Sequence, residues 1–205
     1  MIKYSSMSKL ICCVGDSLTA GDYGVLNMSG IADVKEKNYP YFLKQLSGFE
    51  VKNFGYCGAR AIDILGLFKK GIINVTGADI IIILLGTNGG NTPKGNSDCD
   101  LAYKEIIKIC QTQSPKAQLF LCTPPHATTN PKKSNFGYYE NVKNAAIFVK
   151  NLAKTAHFHE IDLFNDSRFN SENEDIMQPN DGLHFSELGY QTLAQIIYEN
   201  IKQSF

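Results

Sequence analysis

The sequence predicts an α/β fold: a three-layer α/β/α sandwich built on a five-stranded parallel sheet. Three observations carry that reading. Apolar runs alternate with amphipathic stretches along all 205 residues, with no internal repeat, low-complexity tract or long linker. The run from Asp79 to Leu85 is apolar almost throughout, as a strand covered on both faces should be, so it belongs at the centre of the sheet. A helical pattern separates each apolar run from the next, which is how parallel strands are joined, and such crossovers are nearly always right-handed.

In chain order the expected strands are Lys9 to Val14, Glu50 to Phe54, Asp79 to Leu85, Ala117 to Cys122 and Glu160 to Phe164. Apolar residues at helical spacing predict helices at Tyr39 to Leu46, Ala59 to Lys69, Ser97 to Gln111, Tyr138 to Ala156 and Ser186 to Lys202. Ser97 and Ser186 stand where N-caps are needed. A chain of 205 residues buries roughly 70% of its unfolded surface, so one domain spanning residues 1–205 is expected. Three stretches, Thr19 to Asn38, Thr123 to Gly137 and Asn165 to Asn180, read as long loops able to shape a pocket. The second begins with Thr123-Pro124-Pro125-His126, and Phe136, Tyr138 and Tyr139 follow that stretch as an expected aromatic wall, while His126 reads as a loop histidine beside the pocket.

Composition narrows the partners. Lysine plus arginine and aspartate plus glutamate both total 20 and are scattered, so nothing favours nucleic acid or an anionic membrane. The longest aliphatic run, Ile80 to Leu85, is far shorter than the 18 or so residues a transmembrane helix needs. A secretory signal is not expected, since the only early apolar run, Leu10 to Val14, is itself a predicted strand. The six cysteines, Cys12, Cys13, Cys57, Cys99, Cys110 and Cys122, form no CxxC pair and read as reduced thiols, small buried residues of a cytoplasmic protein.

Chemistry enters at Val14-Gly15-Asp16-Ser17-Leu18-Thr19-Ala20-Gly21, which sets Ser17 at the mouth of the first strand. In open α/β sheets ligands gather at the carboxyl ends of the strands, so a hydroxyl there is well placed for nucleophilic attack, provided a base removes its proton. Asp181-Gly182-Leu183-His184 supplies a carboxylate and an imidazole three residues apart before the last helix. On one short turn, the carboxylate can hold one ring nitrogen of His184 and leave the other facing Ser17. Two more segments follow strands, Asn53-Phe54-Gly55-Tyr56-Cys57-Gly58 and Gly86-Thr87-Asn88, and each is able to donate to an oxyanion.

These four blocks together resemble the GDSL or SGNH hydrolase superfamily over nearly the whole chain. The resemblance implies that Ser17 is the nucleophile and one backbone donor, Gly58 a second backbone donor, Asn88 a side-chain donor, His184 the general base and Asp181 its orienting carboxylate. It also implies strand order 2-1-3-4-5, which makes the first and third strands neighbours and brings Ser17 beside Asn88. No metal or organic cofactor is needed for such chemistry. The family often has aspartate after the Gly-Thr-Asn triplet, where this chain has Gly89. The expected activity is hydrolysis of a small-molecule carboxylic ester, with short acyl or acetyl groups or a lysophospholipid as candidates, through an acyl-serine. An acyltransferase or a catalytically silent flavodoxin-like binding module are the alternatives.

Other readings fit less well. There is no Gly-x-Gly-x-x-Gly or Gly-Lys-Ser/Thr loop after the first strand, and no Gly-x-Ser-x-Gly elbow, because Ala20 follows Thr19. His157 and His159 lack a third ligand at a metal-site spacing, and Arg60 reads as a solvated helix start.

Overall fold

In the computed structural model, which describes residues 9–26 and 32–204, the strands in chain order are β1 (Leu10–Gly15), β2 (Asp22–Leu26), β3 (Ala32–Val34), β4 (Glu50–Gly55), β5 (Ile80–Leu84), β6 (Gln118–Cys122) and β7 (His159–Ile161). The α-helices are α1 (Ser17–Ala20), α2 (Tyr39–Ser47), α3 (Ala61–Lys69), α4 (Asp98–Gln113), α5 (Tyr139–Ala156), α6 (Glu174–Met177) and α7 (Glu187–Ile201). Five strands form one parallel sheet in the order β4-β1-β5-β6-β7, the expected 2-1-3-4-5 when only its own strands are counted.

Alternation along the strands builds the two outer layers. Cys12, Val14, Ile81 and Ile83 face one side and pack with Ile64 and Phe68 of α3, Tyr103 and Ile106 of α4, and Phe148 of α5. Ile11, Cys13, Ile80, Ile82 and Leu84 face the other and meet Tyr39 and Leu43 of α2 and Tyr190, Leu193 and Ile197 of α7. Every residue of β5 is buried, as its unbroken aliphatic run requires of a central strand. Full burial of each such side chain is worth about 1.5–3 kcal/mol.

Helix starts follow local chemistry. Ser97 accepts the Asp100 N–H and Ser186 the Gly189 N–H, both at 3.1 Å, so both serines are N-caps. Helix α3 begins at Ala61, two residues later than expected, because Arg60 is extended and its N–H donates to Asp63 Oδ2 at 2.9 Å. Strand β7 ends at Ile161 instead of Phe164. There the Asp162 carboxylate leaves the ladder to bind Lys150 Nζ at 2.6 Å and Asn165 Nδ2 at 2.8 Å, and Leu163 N–H turns back onto Ile161 O.

The stretch from Thr19 to Asn38 is not a plain loop. It carries the second half of α1 and an antiparallel hairpin of β2 with β3, Asp22 opposite Val34, while residues 27–31 lie outside the described residues. Neither hairpin strand is an apolar run, being Asp-Tyr-Gly-Val-Leu and Ala-Asp-Val, and Val25, Leu26 and Val34 are exposed. The hairpin's pairing is tertiary in origin and leaves little periodicity in the sequence.

The carboxyl ends of β1 and β4 are held tightly against α1. Gly15 pairs with Gly55 across the ladder, and a Cβ on Gly55 would overlap the backbone of Thr19 and Ala20. Gly55→Ala should therefore destabilise the protein by about 1–3 kcal/mol through overpacking, measured as a lower urea midpoint with an unchanged m-value.

Candidate active site

The β1–α1 turn presents Ser17. Asp16 caps the short helix, its Oδ1 accepting the Leu18 N–H at 3.1 Å, and Asn53 Nδ2 from β4 donates to Thr19 O at 2.9 Å. Ser17 is 3% exposed, so almost none of it meets solvent.

Asp181 and His184 come from the turn before α7. Asp181 Oδ1 accepts the N–H groups of Leu183 and His184, both at 2.9 Å, which folds the three-residue spacing back on itself. Asp181 Oδ2 meets His184 Nδ1 at 2.6 Å, and His184 Nε2 meets Ser17 Oγ at 2.9 Å. A carboxylate on Nδ1 assigns the ring proton to that nitrogen and leaves Nε2 to accept from the serine.

Electrostatics follow from burial and contact. Burial opposes the ionised Asp181 carboxylate, yet its hydrogen bond to His184, the ring's charge and the two backbone donors outweigh this and hold it below the ordinary range. Burial likewise opposes a charged His184, and the Asp181 hydrogen bond and charge, then Asp22 and Asp16, overcome it and raise the ring above the usual 6.5. Asp16, fully buried, is pushed up to about 6 by that burial, against the pull of the Leu18 N–H and the charge on His184.

The two donor segments reach the same end of the sheet, because β4 and β5 flank β1 in register. Gly58 has φ 73, a conformation that favours glycine, and among the described residues neither its N–H nor that of Ser17 donates to a protein acceptor. Asn88 Nδ2 gives one hydrogen to Ala59 O at 3.0 Å, which fixes the amide and leaves its second hydrogen. Gly89 has φ 78, and a Cβ there would lie 2.9 Å from Asn141 Cγ, so the neighbourhood of Asn141 suits glycine at the position where the family often has aspartate.

Two groups escaped the sequence reading. Asn135 Nδ2 donates to Asp181 Oδ2 at 2.8 Å from the loop before α5. Asp22 in the hairpin places Oδ2 3.6 Å from His184 Nε2. The hairpin also covers the carboxylate, since a Cβ on Gly24 would sit 2.6 Å from Asp181 Oδ2. No residue-type pattern marked either one, although Asp22 lies only five residues after Ser17.

The remaining candidates fall elsewhere. His126 packs its ring edge-on to Tyr139 at 5.4 Å and near Phe164, while Tyr138 packs beside Ala127, Val142 and Leu183, and Phe136 is exposed. His159 stacks on Phe120 at 4.7 Å and His157 ends α5 in a left-handed turn. No group of three possible metal ligands occurs among the described residues. Arg60 is half exposed and 3.6 Å from Asp63. Cys57 corrects the expectation of a small buried thiol: it is exposed, because it lies in the turn after β4 and not within a strand or helix, whereas the other five cysteines are buried.

The sequence matches the GDSL-like Lipase/Acylhydrolase family over residues 13–192, and the chain belongs to that family. It is accordingly a hydrolase. Among solved structures, the lipase/acylhydrolase from Enterococcus faecalis is 22% identical with a TM-score of 0.69, covering 96% of each chain. The native M. smegmatis aryl esterase is 21% identical with a TM-score of 0.71, over 97% of this chain and 100% of that one. Est24, a carbohydrate acetylesterase from Sinorhizobium meliloti, is 18% identical with a TM-score of 0.69, over 96% and 100%. At these identities the likeness is one of fold. No curated protein matches the sequence.

Cys57 alone among six thiols should react with iodoacetamide in the folded protein, giving one adduct by mass spectrometry and six after unfolding. Partial shielding of the thiol from water by its neighbours, and then the charges of Asp22 and Asp16, raise its pKa, so the reaction should be slow at neutral pH and quicken as pH rises.

Proposed function

We propose that the protein is a carboxylic ester hydrolase acting on small-molecule esters with short acyl or acetyl groups, through an acyl-serine formed on Ser17. The observation that carries this reading is the unbroken hydrogen-bond series from Asp181 Oδ2 to His184 at 2.6 Å and from His184 to Ser17 Oγ at 2.9 Å. His184 Nε2 takes the Ser17 proton as Oγ attacks the ester carbonyl, and Asp181 stabilises the imidazolium through Nδ1–H. The N–H groups of Ser17 and Gly58 and the free amide hydrogen of Asn88 hold the tetrahedral oxyanion. The protonated ring then gives its proton to the departing alkoxide, and the acyl group remains on Ser17. In the second half, His184 takes a proton from water, which attacks the acyl carbonyl, and the carboxylic acid leaves as Ser17 regains its proton.

The family membership and the fold shared with an aryl esterase and a carbohydrate acetylesterase support an ester substrate. The whole chain, residues 1–205, acts in this reading as one catalytic domain. Six free thiols support action in the cytoplasm, and no helix among the described residues is long and apolar enough to cross a membrane.

Initial rates on p-nitrophenyl esters from acetate to decanoate test the proposal. Turnover should vanish with Ser17→Ala, and Asn88→Ala should lower kcat by about two to three powers of ten, since a preorganised donor is lost where charge develops. Full activity in Ser17→Ala would refute the reading. A pH profile tests the base. The ring must be neutral to accept a proton, and its pKa is raised, so kcat/KM should fall on the acid side with a midpoint above the ordinary 6.5. A midpoint at or below that value would contradict the electrostatics derived for His184.

A further inference from the structure

His184 has a carboxylate on each side of its ring, and the reaction as described uses one. Asp181 Oδ2 holds Nδ1 at 2.6 Å; on the opposite side Asp22 Oδ2 lies 3.6 Å from Nε2, too far for a hydrogen bond but within ion-pair range. Asp22 is fixed in that position. Its backbone carbonyl accepts the Tyr190 hydroxyl at 2.6 Å, its Oδ1 accepts the Gly24 N–H at 2.9 Å, and its backbone is paired with Val34 across the hairpin. Among the described residues no hydrogen bond reaches its Oδ2, and the residue is 7% exposed, so water screens the charge weakly.

We propose that Asp22 is a positioning residue for the base, a second carboxylate that stabilises the His184 imidazolium from the Nε2 side and thereby sets the pH at which the site shuts off. This rests on the reading of His184 as the base. When Ser17 attacks, the O–H bond breaks and its electron pair forms the bond to the substrate carbonyl, while the proton passes to Nε2. That proton sits on the ring nitrogen that Asp22 Oδ2 approaches at 3.6 Å, and it is not passed on to Asp22. Its charge favours the imidazolium for as long as Nε2 carries the proton and stops acting on it once the proton moves to the leaving oxygen. At low pH the doubly protonated ring lies between Asp181 and Asp22 and cannot accept from Ser17.

The charged groups facing the ring are Asp181 from the turn before α7, Asp22 from β2 and Asp16 from the β1–α1 turn, with the Ser17 hydroxyl beside them. None of the three carboxylates forms an ion pair with lysine or arginine among the described residues. The charges that act most on the ring are carboxylates, and neutralising one of them should be read in its titration.

The test is Asp22→Asn, which keeps an oxygen for the Gly24 N–H and removes the charge. The His184 ring is titrated by NMR in the full-length protein, its signals assigned by their loss in His184→Gln, and kcat/KM on p-nitrophenyl acetate is followed against pH. The ring midpoint should fall by about one pH unit, the acid limb of kcat/KM should move with it, and the alkaline plateau should drop about three- to tenfold. An unmoved ring midpoint overturns the proposal, including where activity falls, since that is the result of a merely structural role. A moved ring with an unmoved acid limb overturns it as well. The ring titration needs no substrate, so an inactive parent protein, which would refute the ester-hydrolase reading, is told apart from an unmoved ring, which would refute this one.

Discussion

The parallel register of β1 between β4 and β5 is the constraint on which the candidate site depends. Gly15 is level with Gly55 on one side and with Leu84 on the other, so the three turns that follow these strands open at the same height. Ser17, Gly58 and Asn88 therefore share one end of the sheet although up to 71 positions separate them (88 − 17). Small residues make the convergence possible. A Cβ at Gly15 would meet the Leu84 carbonyl at 2.6 Å, and one at Gly55 would meet the chain of α1. The aliphatic core beneath fixes the register, because a one-residue slip would turn each strand's side chains to the opposite layer.

The histidine reaches that end by a different route. His184 enters from the turn before α7, and the turn is shaped by the same carboxylate that orients the ring: Asp181 Oδ1 takes two backbone N–H groups and Oδ2 takes Nδ1 and the Asn135 amide. One side chain thus serves as turn builder and ring partner. Helix α7 fastens the turn to the sheet through Tyr190, Leu193 and Ile197, and Tyr190 also reaches the hairpin by donating to Asp22 O. The hairpin returns the contact from above through Asn180 Nδ2 to Tyr23 O at 2.8 Å. Hairpin, turn and last helix consequently form one support around the imidazole, with acidic groups on both sides of it.

Much of this is legible in the sequence. The alternation of apolar runs and amphipathic stretches located all five sheet strands and the five long helices within a few residues, because period and burial are tied by the geometry of each element. The serine and the Asp-x-x-His pair were visible because each lies in a short segment whose local structure its own sequence dictates. What escaped detection lacked such a signature. The β2–β3 hairpin buries Asp22 and Tyr23 but exposes Val25, Leu26 and Val34, so its apolar residues do not mark its buried side, and Asp162 ends β7 by reaching across to Lys150. Cys57 looked like a core thiol from its residue type, and the turn in which it sits left it in solvent.

The sequence by itself determined the fold class, the strand and helix order and the residues able to do chemistry, since these follow from local periodicity and from short segments that shape their own turns. Only the tertiary structure decided the surroundings of the imidazole. Asp22, Asn135 and Asp181 come from three separate segments, and the field each exerts on His184 depends on distance and burial, which packing alone sets. A carboxylate five residues from the serine is an ordinary polar residue in one dimension. Folded to 3.6 Å from Nε2 and shielded from water, it becomes part of the electrostatics of His184.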